Sequence, residues 1–230
     1  MEGIIATIAW IIFGFLFLRV LLSTYPGKDY NHVRFMTRVA IFGAIASILY
    51  IGEIFTIKVP FFPSFLSFHF DEIPAFICGF AYGPLAGVAV IGIKTILRLP
   101  FCTVDQLLGV AFDFVLSSIY VFIVTLVYKK KRNLKGVAIG FAIGTLFQVV
   151  VAMVANVYVM VPFYMSVYGL SSEALLGIMR VAMPAISDIQ WSYAFIAVLP
   201  FNLIKDAIVI LVTFLVYRSL HLQLRFAKNA

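Results

Sequence analysis

Charge is what this 230-residue chain has least of: 10 acidic and 17 basic residues make only 12% of it charged, against 63% hydrophobic. A soluble domain carries about 25% charged residues, and so few ionic groups leave too little polar surface to face water on all sides. A soluble enzyme, a disordered regulator and a disulfide-stapled secreted domain are excluded. The two cysteines, Cys78 and Cys102, cannot build a framework, and neither sits in a metal-ligand pattern. No GxxxxGK[ST] run is present, so the chain does not power anything by its own ATP hydrolysis. It also lacks an HExxH sequence. What the chain has instead is apolar length, with a mean hydropathy of +1.09.

A membrane-crossing helix needs about 20 mostly apolar residues. Residues 3–22, 39–57, 104–128 and 136–164 meet that plainly, and 201–217 does so apart from Lys205 and Asp206. The first stretch follows Glu2 rather than a basic region and ends at Leu22-Ser23-Thr24-Tyr25-Pro26, without a small-residue cleavage site. It reads as a retained helix and not a signal peptide.

Residues 73–97 form one long span or two short ones broken at Tyr82-Gly83-Pro84. The positive-inside rule decides. With the break, twelve basic residues lie inside, including the Lys129-Lys130-Lys131-Arg132 and Lys135 cluster, and five lie outside. Without it the count is eight against nine. The break is therefore expected, with short helices at 72–82 and 84–97. The resulting fold class is an all-α integral membrane protein with seven membrane segments: an extra N-terminal helix (residues 1–35 with its cytoplasmic linker) and a six-helix domain (36–230). The N-terminus is expected outside and the C-terminus in the cytoplasm. The basic surplus is topology, not a nucleic-acid footprint.

Small residues let helices approach closely in lipid. Gly136, Gly140 and Gly144 form one such row and Gly83 with Gly87 another, and internal packing is the first reading of both. Ala40 and Ala44 form a seam near the cytoplasmic face, continued one notch round by Gly43 and Ser47. That seam serves either internal packing or a separate subunit.

Candidate site residues lie toward the outer face. Between Lys58 and Asp71, two prolines and five phenylalanines make a loop that is costly to leave in water. It dips back as a lid or anchors at the interface. His69 alone makes no metal site, since the loop does not supply the rest of a zinc ligand set, while Asp71 and Glu72 either cap the next helix or meet a ligand. Asn156 interrupts an apolar helix, and Asn202 and Lys205 share a helical face. These polar groups either satisfy one another and the lipid or line one pocket under the aromatic loop. Amides with a cation above apolar walls suit a flat, neutral heterocycle rich in carbonyls and ring nitrogens. A stand-alone enzyme or channel is the competing class. Asp113 and Lys94 are its only mid-membrane groups, and a structural ion pair explains them equally well.

Taken in order, several runs resemble the S components of energy-coupling factor (ECF) vitamin transporters, in particular the riboflavin-binding RibU type. They are Pro63-Ser64-Phe65-Leu66-Ser67, Asp71-Glu72-Ile73-Pro74-Ala75-Phe76, Phe80-Ala81-Tyr82-Gly83-Pro84-Leu85-Ala86-Gly87, Tyr128-Lys129-Lys130-Lys131-Arg132, Asn156 with Val161-Pro162-Phe163-Tyr164, and Pro200-Phe201-Asn202-Leu203-Ile204-Lys205. The resemblance implies a six-helix bundle that is no enzyme and carries no cofactor or metal. Riboflavin is the implied transported ligand, held at the extracellular side by Leu66, Ser67, Asn156, Asn202 and Lys205. It further implies that Ala40 and Ala44 dock a transmembrane coupling subunit, that two ABC-type ATPases drive the assembly, and that the S component topples in a bacterial cell membrane to carry ligand inward. Departures from the riboflavin-type pattern are His69-Phe70-Asp71-Glu72, a longer outer segment at 165–199 containing Arg180, Trp191 and Tyr193, and the extra N-terminal helix; the first two leave an S component for another flavin or vitamin as the alternative.

Overall fold

A computed structural model describes residues 31–52, 57, 58, 61, 62 and 66–226, together with 19 and 23. The expected helix at 3–22 lies almost entirely outside these residues. The described chain is helical apart from one two-residue ladder.

Helix α1, His32–Ile51, begins where the Asn31 side chain accepts a hydrogen bond from the Arg34 N–H and ends at Gly52. It starts seven residues earlier and ends six earlier than the expected 39–57, because the polar cap, and not the first apolar residue, sets the start. Strands β1 (Ile57–Lys58) and β2 (Ser67–Phe68) pair antiparallel, with Ile57 opposite Phe68. Helices α2 (Glu72–Tyr82) and α3 (Pro84–Arg98) follow.

The break between α2 and α3 falls at the expected place for two reasons. Gly83 takes φ +102°, open to glycine and costly for other residues, and Pro84 occupies the first turn of α3, where its missing N–H costs nothing. Eleven residues give α2 a length of about 16 Å, roughly half the hydrocarbon thickness. It is consequently sheltered, packing against α1, α3, α4 and the last helix.

Helix α4, Val104–Lys130, opens on a capping box of Thr103 and Gln106. The basic residues Lys129 to Lys135 lie exposed in and beside its turn to α5, Leu134–Ala155. A π-helical turn, Asn156–Met160, joins α5 to α6, Val161–Tyr168, and the three form one apolar run of 35 residues. Two more helices, α7 (Ser172–Ala182) and α8 (Trp191–Tyr193), precede a second π-helical turn, Ala194–Val198, and the last helix α9, Leu199–Phe226. Among the described residues, five runs are long and apolar enough to cross a membrane, and α2 makes a sixth, shorter one.

Both π turns run into a proline, Pro162 and Pro200. Proline donates no N–H and its ring presses on the carbonyl four residues back, so the helix widens before it. The last span accordingly begins near Trp191, ten residues before the expected 201. The long segment at 165–199 contains its own amphipathic helix, α7, which buries Leu175 and Met179 and exposes Val181. The Arg180 guanidinium closes the following loop by donating to the carbonyls of Ile186 and Ser187.

Small residues decide the seams. A Cβ at Gly140 would lie 2.8 Å from the Val124 carbonyl oxygen, and one at Gly144 would lie 2.7 Å from the Val124 side chain, so the row on α5 packs within the chain against α4. Of the other pair, Gly87 packs against Val121 and the Ala75 carbonyl, but Gly83 has open space and serves the turn; its packing counterpart is Gly79. The α1 seam divides. Gly43 and Ser47 are buried, with Gly43 against Ile93 of α3, whereas Ala40 and Ala44 are exposed beside Ile41, Ile45 and Ile48.

Candidate functional site: a polar core under an aromatic loop

Three described aromatic residues settle the course of the loop. Phe68 is buried with its ring 4.6 Å from that of Phe201, and Phe62 meets the same ring edge-on at 5.3 Å. Phe61 alone of these is strongly exposed. These described parts of the loop thus lie against the start of α9, one residue before Asn202. Of the two expected loop contacts, Leu66 is half-buried, and the Ser67 backbone pairs with Lys58.

Beneath this loop two ionic clusters cross the bundle. In the first, the Lys94 ammonium of α3 is wholly enclosed. It donates to Asp71 and, at 2.9 Å, to Asp113 of α4, and sits 4.4 Å from the centre of the Tyr50 ring. Arg98 lies over the same ring. In the second, Lys205 of α9 donates to Glu72 Oε1 at 2.9 Å, and the Ser117 hydroxyl donates to the same oxygen at 2.7 Å. Ser117 also lies 3.4 Å from Asp113, which joins the clusters. Asp71 occupies the N-cap position of α2 but makes no capping bond with its side chain. Both acids at the start of α2 are spent on lysines, the enclosed Lys94 and the partly exposed Lys205, so the capping reading of Asp71 gives way to an ion pair. Lys94 and Asp113 form the structural pair, widened by Asp71.

The asparagines are held by backbone and amide partners. Asn202 Nδ2 donates to the Val198 carbonyl at 2.8 Å, and its Oδ1 accepts from Gln148 Nε2 at 3.3 Å. Asn156 Nδ2 donates to the Ala152 carbonyl at 2.8 Å, and its Oδ1 accepts from the Tyr193 hydroxyl at 3.3 Å. Each amide retains a second N–H and a second lone pair. No hydrogen bond among the described residues joins Asn156, Asn202 and Lys205 to one another. Asn202 and Lys205 share α9, and Asn156 stands at the π turn about 12 Å along the helix from Gln148. The two π turns pack together, which carries Tyr193 to Asn156.

Gln148, Glu72 and Tyr193 are the partners that reading along the chain missed or left open. Gln148 had a signal: an amide within an otherwise apolar span, 2% exposed. The pairing of Glu72 with Lys205, 133 residues apart, had none. Outside the candidate spans, His69 is half-buried with its ring 5.3 Å from that of Tyr50, and burial lowers its pKa below the ordinary value. A separate apolar groove of about 530 Å³, lined by Phe42, Ile45, Ile77 and Val212 among others, includes none of Asn156, Asn202 or Lys205.

Six apolar helices among the described residues, around a charged and amide-bearing interior, define a multi-pass membrane protein with a polar core. The family described as "ECF transporter, substrate-specific component" matches residues 34–217, and the chain belongs to it. The family is a transporter's substrate-binding component and not an enzyme family. Curated relatives include the riboflavin transporter RibU of Staphylococcus aureus (strain TCH60), 25% identical over 183 residues that cover 80% of this chain and 89% of the relative. The riboflavin transporter FmnP of Bacillus subtilis (strain 168) is 26% identical over 186 residues, covering 80% and 91%. A solved structure described as the S component of a bacterial ECF transporter has the same fold, with a TM-score of 0.65 at 24% identity over 84% of this chain and 99% of that one.

Proposed function

We propose that the chain binds riboflavin at its outer side and delivers it inward as the substrate-binding subunit of an ECF importer, with a transmembrane coupling subunit and two ABC-type ATPases. The observation that carries the ligand assignment is the pair of riboflavin transporters that align with four-fifths of the chain. The site residues are Leu66, Ser67, Asn156, Asn202 and Lys205. Free amide valences on the two asparagines and one ammonium match the carbonyls and ring nitrogens of an isoalloxazine ring, and the phenylalanines of the loop match its flat faces. Bound ligand draws Lys205 from Glu72, at least in part, so the ion pair keeps the ammonium ordered until ligand arrives.

Ala40 and Ala44 face away from the bundle, on the side of α1 that Gly43 and Ser47 leave free, and suit contact with the coupling subunit. The exposed Lys129 to Lys135 turn lies in the cytoplasm, as does the C-terminus. The six-helix domain starts at the Asn31 cap of α1, a few residues before the expected boundary at 36.

The test is optical. The protein purified from flavin-replete cells carries a flavin absorbance band, and ligand-free protein quenches riboflavin fluorescence on addition. A colourless protein that leaves the fluorescence unchanged removes the assignment.

A further inference from the structure

Charge balance differs between the two buried clusters. Around Tyr50, two cations, Lys94 and Arg98, meet two carboxylates, Asp71 and Asp113, and the Asp113 side chain keeps 26% of its surface. Around α9 one cation, Lys205, meets Glu72 and Asp206. Asp206 has no exposed surface, and neither of its oxygens has a hydrogen-bond partner within normal geometry. The groups facing it are Lys205 on its own helix, Glu72 of α2, the Thr145 hydroxyl of α5 and the Tyr120 hydroxyl of α4. The π turn 194–198, Ala-Phe-Ile-Ala-Val, brings nothing ionisable. Lys205 Nζ is bonded to Glu72, not to its neighbour in sequence.

An enclosed, unpaired carboxylate in the membrane interior is among the least favourable states available to a side chain. Atoms without accessible surface admit no ligand atom and no hydrated cation. A proton needs no cavity. We propose that Asp206 is a proton-binding site within the membrane, occupied at neutral pH, so that Lys205, Glu72 and Asp206 are together uncharged. The proton enters from solvent as the helices assemble and stays on the Asp206 carboxyl, whose O–H then faces the Thr145 oxygen. Its consequence for transport rests on the reading of Lys205 as a ligand contact: with Asp206 neutral, only Glu72 competes with the ligand for the ammonium.

Infrared spectroscopy of the purified full chain in lipid nanodiscs tests the site without any flavin. At pH 7 the wild type shows the C=O stretch of a protonated carboxylic acid. Asp206→Asn loses that amplitude, Asp113→Asn keeps it, and Asp206→Glu retains it at a shifted frequency should the asparagine variant fail to fold. Absence of the band at pH 7, its loss on adding sodium, or its persistence in folded Asp206→Asn overturns the proposal. Riboflavin titration is a separate arm: affinity falls severalfold at alkaline pH in the wild type and stays flat in Asp206→Asn. No binding by either protein counts against the ligand assignment, whereas equal pH dependence in both counts against the role given to Asp206.

Discussion

The Lys205 ammonium and the Glu72 carboxylate, 133 residues apart in the chain, meet at 2.9 Å inside the bundle. Breaking such a buried pair from one side leaves an uncompensated charge, at a cost of about 3–5 kcal/mol, whereas removing both charges is far milder. Ligand affinity and stability therefore separate. Lys205→Ala is expected to weaken riboflavin binding by roughly tenfold or more, equivalent to about 1.4 kcal/mol, and to lower the melting temperature. The double variant Lys205→Ala/Glu72→Gln is expected to recover the melting temperature and not the affinity. Recovery of both would make Lys205 an anchor only.

On α1, neighbouring small residues face opposite ways. Leucine or tryptophan at Ala40 and Ala44 is expected to abolish cellular uptake while riboflavin binding by the purified protein stays within about twofold of the wild type. Leucine at Gly140, whose Cβ would meet the Val124 backbone, is expected to reduce the yield of folded protein and hence both activities. Loss of binding in the Ala40 and Ala44 variants would place that seam inside the bundle.

Lys94 binds the acid that begins α2 to the middle of α4. Lys94→Met strands Asp71 and Asp113 and is expected to destabilise the protein by about 3–5 kcal/mol. Adding Asp71→Asn and Asp113→Asn is expected to restore most of that. Thermal unfolding monitored by circular dichroism in detergent measures both, and an unperturbed Lys94→Met would show that the cluster holds nothing together.

His69 carries a pH dependence. Its pKa is lowered in the folded protein, so the unfolded chain takes up the proton first as pH falls through the ordinary value of 6.5. The stability that neutral His69 contributes is fully present above that value and is lost below it. Melting temperatures measured at pH 7.5 and pH 5.5 are expected to fall less in His69→Gln than in the wild type. Equal falls would assign the whole acid sensitivity to the carboxylates.

The Tyr193 hydroxyl donates to Asn156 Oδ1 at 3.3 Å where the two π turns pack together. Tyr193→Phe is expected to weaken riboflavin binding severalfold with the fold intact, since one hydrogen bond of about 1 kcal/mol orients the amide. An unchanged dissociation constant would mean that Asn156 is oriented without it.

Much of this was open to a reader of the chain alone. Apolar runs announce helices in lipid because the backbone has no other way to satisfy its hydrogen bonds there. The basic residues, counted by side, selected the break at Gly83, and the glycine at φ +102° followed by proline is the local chemistry that makes it. Asn156, Asn202 and Lys205 stood out because polar groups are scarce in the spans. Helix ends were less legible: the Asn31 cap moves the start of α1 into a basic stretch, and the π turn before Pro200 moves the start of the last span outward.

What only the tertiary structure decided is which scarce polar group answers which. Periodicity along one helix orders faces, but an ion pair joins faces of different helices, and its energy depends on separations that no spacing encodes. Glu72 looks like a helix cap and Asp206 like the partner of Lys205 beside it. In the assembled bundle Lys205 turns to Glu72 and leaves Asp206 enclosed. The sequence by itself determined a membrane bundle of this family with its polar residues in place; packing chose their partners, because charges buried inside a bundle settle by distance and not by order in the chain.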